Sequence, residues 1–102
     1  MNQEIFDSIV DNRLLKSKKV LIDKSKQYAS NNDRLHNFKV AARIDNTTPE
    51  QALWGMYQKH LVSVIDIKND PTRFSMEVIQ EKIQDSINYM ILLEALLTER
   101  NE

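Results

Sequence analysis

Glu81, Asp85 and Asn88 recur at spacings of four and three near the end of the chain, which puts two carboxylates and an amide on one side of a helix. Carboxylates one turn apart are placed to share a divalent cation through oxygen ligands, and an amide beside them offers a donor and an acceptor to a ligand. The same side continues as Leu92 and Leu96, so the polar groups lead into an apolar region where unpartnered ones are costly. The opposite side, Met76, Ile79, Ile83, Ile87, Met90 and Leu97, reads as the core seam of that helix. His60 adds a titratable group within the apolar arc of Leu53, Trp54, Tyr57, Leu61 and Val64. If its helix packs on the last one, His60 meets Asp85 or Glu81. Such a pair serves structure, acid–base chemistry or half of a metal site.

A second concentration of polar groups surrounds the turn after residue 24. Lys26, Arg34, His36 and Lys39 would meet phosphate, Asn37 adds an amide, and Tyr28 offers a ring on which a base can stack. The structural alternative is that Tyr28 and Phe38 close the core beneath the turn. Residues 13–26 are strongly basic and residues 77–102 acidic. Two solvated helix faces attracting one another account for this, as does a basic wall facing a phosphate or an acidic partner.

Composition removes many function classes. The 102 residues bound a single domain, 1–102, with 41% hydrophobic and 28% charged residues, the balance of a globular chain. Absence of cysteine excludes disulfides and thiolate metal sites. The single glycine, Gly55, lies within a helical pattern, leaving no phosphate loop, dinucleotide fingerprint or nucleophile elbow. Serine occurs without the histidine and oxyanion geometry of a nucleophile. A net charge of −1 gives no general case for nucleic-acid binding. No stretch is apolar enough to span a bilayer, and the N-terminus lacks the basic start and apolar run of a signal peptide. The expected location is cytoplasmic.

The elements that must hold these residues are helical. No segment alternates with period two, and the chain reads as an all-α bundle of about four helices, two long and two shorter. The first is expected from Gln3 to Tyr28, presenting Ile5, Phe6, Ile9, Val10, Leu14, Val20 and Leu21. Arg13, Ser17 and Lys24 interrupt that face, which suggests a bend near Lys16. A short helix, Arg34 to Ile44, is seated by Leu35, Phe38 and Ala42. Thr48, Pro49 and Gln51 form an N-cap, first-turn proline and capping box, opening a helix to Lys68. Ser75 caps the last helix, which runs to about Glu99. Met56, Met76 and Met90 read as core filling. From Met90 to Leu97 the last helix is apolar nearly all round, which predicts self-association through it about a two-fold axis.

The runs KSKQYASNNDRLHNFKVAA, TPEQALWGMYQKHLVSVIDI and EKIQDSINYMILLEALL resemble small uncharacterised proteins of tailed bacteriophages and prophages. That likeness spans about residues 13–99 and implies the cytoplasm of a bacterial host. More distantly, the helical layout and Glu81-Lys82-Ile83-Gln84-Asp85 resemble the MazG-type all-α nucleoside-triphosphate pyrophosphohydrolases. Those are helical oligomers whose Mg²⁺ is held by an ExxE pair on one helix and an ExxD pair on the next. Asp85 matches the family aspartate, but Lys82 stands where its glutamate partner belongs. On the preceding helix only Lys59, His60 and Asp66 occupy the place of the ExxE pair. No cofactor is therefore required, Glu81 and Asp85 are the sole candidates for Mg²⁺, and catalysis is not assigned.

Three readings follow. One is a nucleotide-sized polar cleft lined by Lys59, His60, Asp85, Asn88 and the Tyr28–Asn37 turn, which binds or sequesters a nucleotide with at most weak hydrolysis. Another is an interaction module that inhibits a host defence or replication protein. The last is an auxiliary phage assembly protein.

Overall fold

The computed structural model describes residues 1–23 and 33–102, and within these every regular element is a helix. Lys26 and Tyr28, expected in the ligand-binding turn, lie outside the described residues, as does the end of the expected first helix. Among the described residues there are four α-helices: α1 (Gln3–Lys18), α2 (His36–Asp45), α3 (Pro49–Asn69) and α4 (Met76–Arg100). The chain leaves α1 through a π turn, Lys19–Asp23, and a single 3₁₀ turn, Pro71–Arg73, links α3 to α4.

Local chemistry sets the helix ends. Asn2 Oδ1 accepts from the Ile5 N–H (2.9 Å), Thr48 Oγ1 from Gln51 N–H (3.2 Å) and Ser75 Oγ from Val78 N–H (3.2 Å). Each satisfies one of the donors a helix start leaves free. Half of the expected Thr48–Gln51 capping box therefore forms. Helix α2 stops at Asn46, whose left-handed backbone (φ 54°, ψ 51°) turns the chain while Thr47 N–H donates to the Ala42 carbonyl at 2.9 Å. This is a Schellman closure in which asparagine takes the place usually held by glycine.

The core sits where α2, α3 and α4 converge. Leu53 is fully enclosed, with Leu35, Phe38 and Leu96 packed around it and Tyr89, Leu92, Leu93 and Ala95 at its edge. Leu35, Phe38 and Ala42 seat α2 as its spacing predicts. Across the α3–α4 contact runs an aromatic chain: Trp54 to Tyr57 (5.4 Å between ring centroids), Tyr57 to Tyr89 (5.6 Å) and Tyr89 to His60 (5.0 Å). The rings are tilted, the arrangement that their quadrupoles favour.

Two long helices turn the opposite way from the expectation of their apolar faces. In α4 four of the six expected seam residues are open to solvent, Met76 at 63% exposed, Ile83 41%, Met90 40% and Leu97 42%, while Ile79 and Ile87 are half-buried. Gln84, Asn88 and Leu96, on the stripe headed by polar residues, are buried instead. In α1 two of the interruptions, Arg13 and Ser17, point inward. Ser17 is buried, Arg13 and Leu21 flank it half-buried at four-residue spacing, and Ile5, Phe6, Ile9 and Leu14 are exposed. Met56 is likewise exposed, so these methionines do not fill the core. The physical reason is pairing. Arg13, Ser17, Gln84 and Asn88 are hydrogen-bonded together through Gln84 across the α1–α4 contact, and a polar group with a partner is no longer barred from the interior.

Candidate ligand-binding cleft

The α1–α4 contact is built on one amide. Gln84 Nε2 donates to Ser17 Oγ and, at 3.0 Å, to Asn88 Oδ1 one turn further along α4. Its Oε1 accepts from Arg13 Nη1 at 3.1 Å, and the same Arg13 nitrogen donates to the Gln80 carbonyl at 3.0 Å. The Gln84 side chain thus uses both ends of its amide, and Arg13 is fixed lengthwise along α4. Asn88 is 7% exposed and accepts through Oδ1, which leaves its Nδ2 as a donor with no partner among the described residues.

Above this network lies a cleft of about 350 Å³. Arg13, Lys16, Lys19 and Val20 form its α1 wall; Glu77, Gln80, Glu81 and Asp85 form its α4 wall, with Gln84 and Asn88 at its floor. The π turn that begins at Lys19 carries part of the basic wall, a placement in keeping with the frequency of such turns at functional sites. The walls oppose three basic groups to three carboxylates, and among the described residues no ion pair crosses between them. The volume falls in the range of small-molecule sites.

Asp85 joins the cleft to the α3–α4 core. Its Oδ2 lies 3.4 Å from His60 Nδ1, and the His60 ring stacks on Tyr89. Burial, and secondly the negative charge of Asp85, hold the Tyr89 hydroxyl above the ordinary tyrosine range. His60 therefore stands behind Asp85 and does not line the cleft.

The structure brings Asp85, Asn88 and His60 together and separates the other described candidates from them. Lys59 is exposed on α3 and lies outside the cleft lining. His36 and Asn37 open α2, and Arg34 lies in the turn just before it. Leu35 packs there against Leu96, and Lys39 Nζ contacts Asp33 Oδ2 (2.6 Å) and Glu99 Oε1 (2.5 Å). Glu99 is fourteen residues beyond Asp85, about 21 Å along the helix. The described residues of the single cleft expected from Lys59, His60, Asp85, Asn88 and the 28–37 turn are thus divided between two ends of α4. Glu81 shares the cleft wall with Asp85, and no group of three or more potential metal ligands occurs among the described residues. Arg13, Ser17 and Gln84 were missed as site residues. The available signal was the fourfold spacing of Arg13, Ser17 and Leu21 through an otherwise apolar face.

Family descriptions, curated proteins and solved structures offer no match to this chain. Its functional reading therefore starts from the geometry of the cleft.

Proposed function

We propose that the protein binds a small phosphorylated ligand of nucleotide size in the α1–α4 cleft, without an assigned reaction. The observation that carries this reading is the placement of Arg13, Lys16 and Lys19 opposite a floor in which Asn88 keeps a free amide donor. Basic side chains meet the phosphate oxygens through charge-assisted contacts. The amide addresses a base or sugar, and the carboxylate wall takes hydroxyl groups or a Mg²⁺ brought with the phosphate. The proposal is binding or sequestration, with at most weak hydrolysis. Consistent with the phage resemblance, such a protein would withhold a nucleotide in an infected cell.

Thermal melts with a panel of nucleotides and cyclic nucleotides, with and without Mg²⁺, test this. A ligand that binds the folded state raises the melting temperature progressively with its concentration. The Lys16→Gln/Lys19→Gln variant should lose the shift while still melting cooperatively, since neither lysine side chain makes a hydrogen bond or ion pair among the described residues. Absence of a shift with every ligand rejects the reading.

A second reading, docking onto a host protein without a small ligand, draws on the exposed apolar residues Ile5, Phe6 and Ile9 of α1. In either case we take the working form to be a homo-oligomer.

A further inference from the structure

We propose that the cleft selects a nucleotide whose base presents a carbonyl oxygen to Asn88, and that Arg13 sets this preference through Gln84. The inference rests on the ligand reading above and names the part of the ligand that the floor recognises. Arg13 carries donors only, so the Gln84 side-chain oxygen, 3.1 Å from Arg13 Nη1, is the end of the amide that faces it. The Gln84 nitrogen is thereby turned toward Ser17 and Asn88, and it donates to Ser17 Oγ and, at 3.0 Å, to Asn88 Oδ1. With its oxygen engaged, Asn88 has only the hydrogens of Nδ2 left to offer. Neither amide can turn over without bringing two donors or two acceptors together.

Burial gives this one-way chain its weight, because Ser17, Gln84 and Asn88 are all buried. Asn88 Nδ2 makes no hydrogen bond among the described residues, yet it is not sealed off as the Ser86 hydroxyl is. Asn88 lines the cleft, so the space that Nδ2 reaches is the cleft floor. Phosphate belongs at the rim, with the exposed Lys16 and Lys19. Ribose hydroxyls donate as well as accept and are indifferent to the polarity of an amide. A base edge is not indifferent. The O4 of uracil and the O6 of a 6-oxopurine accept, whereas the amino groups of cytosine and adenine donate. A donor at the floor pairs with the first kind and meets the second donor to donor, leaving buried groups unpaired.

Calorimetric titrations of the full chain with two matched pairs, UTP with CTP and ITP with ATP, test the proposal. Each pair exchanges a carbonyl for an amino group on the same ring. The wild type should bind UTP and ITP about tenfold more tightly than CTP and ATP, the effect of one unmet buried hydrogen bond. In Gln84→Glu one carboxylate oxygen keeps the Arg13 contact and the other replaces the nitrogen. Asn88 then turns to donate to it and presents its own oxygen to the cleft, so the preference should reverse toward CTP and ATP. Asn88→Asp keeps the bond from Gln84 but puts an oxygen where the donor was, and it should reverse the preference as well. Two variants keep the test from depending on the folding of one. The ratio within a pair is the readout, because added negative charge or a loosened helix lowers affinity for both members alike. Equal affinities within the wild-type pairs, or variants that weaken both members at an unchanged ratio, overturn the inference and leave nucleotide binding standing. Failure of all four nucleotides to bind the wild type overturns the nucleotide reading and this inference with it.

Discussion

His60 Nδ1 lies 3.4 Å from Asp85 Oδ2, and Asp85 is at once a wall of the α1–α4 cleft and a neighbour of the Tyr89 hydroxyl. One carboxylate therefore links the aromatic contact of α3 and α4 to the surface on which a ligand would rest. Charge placed in the cleft acts on Asp85, and through it on groups of the core.

The first expected outcome concerns that link. Burial and then Asp85 hold the Tyr89 hydroxyl above its ordinary range, so Asp85→Asn removes the smaller cause and leaves the larger. Tyr89 should ionise at a lower pH in the variant than in the wild type, yet still above an exposed tyrosine. The Tyr89 ring resonances followed through an alkaline titration give the answer, and an unmoved midpoint contradicts the coupling.

The second concerns the amide that joins α1 to α4. Gln84→Ala deprives Arg13, Ser17 and Asn88 of a shared partner, leaving polar groups in a site that is partly closed to water. A loss of about 1–3 kcal/mol is expected, or roughly 4–8 °C in melting temperature for each kcal/mol in a domain of this size. Ser17→Ala, which removes the hydroxyl together with its need for a partner, should cost less. Equal costs would show that the network contributes through packing instead.

A third outcome depends on pH. Arg100 donates from Nε and Nη2 to the two oxygens of Glu50, each at 2.7 Å, tying the end of α4 to the first turn of α3. This fork, aided by the backbone at the helix start, lowers the Glu50 carboxyl from 4.5 to about 2. The carboxylate is favoured in the folded state, so the stabilisation is complete above pH 4.5, shrinks as the pH falls below it, and is gone below about 2. Arg100 is largely exposed, so solvent screening limits the pair to a small amount of stabilisation at neutral pH. Denaturation curves of wild type and Glu50→Gln should differ by that amount at pH 7 and converge in strong acid. A gap that persists there would assign the effect to something other than charge.

The parts of the fold that the sequence disclosed are those decided within a turn or two. Thr48 and Ser75 announce their helices because a cap is a contact over three residues. Of the two partners expected for His60, Asp85 and Glu81, the structure gives Asp85, and a meeting with one of them was legible because helices joined by a short turn pack on one another. The orientation of α1 and α4 was not legible in this way. Helical periodicity shows that Ile83 and Met90 share a side and says nothing of what covers it. Arg13 looks like a defect in an apolar face until Gln84, 71 residues away, is seen to meet it. The basic and acidic stretches were visible as charge runs, but their meeting across one cleft depends on a contact between the two ends of the chain.

The opposed walls of that cleft have a consequence for α1. With no ion pair bridging them among the described residues, their attraction acts through solvent. The range of such a force is about 8 Å at physiological ionic strength and about 3 Å in molar salt. Beyond the bonds of Arg13 and Ser17, α1 is held to the bundle in part by an electrostatic pull that added salt switches off. The width of the cleft therefore responds to the ionic medium around the protein.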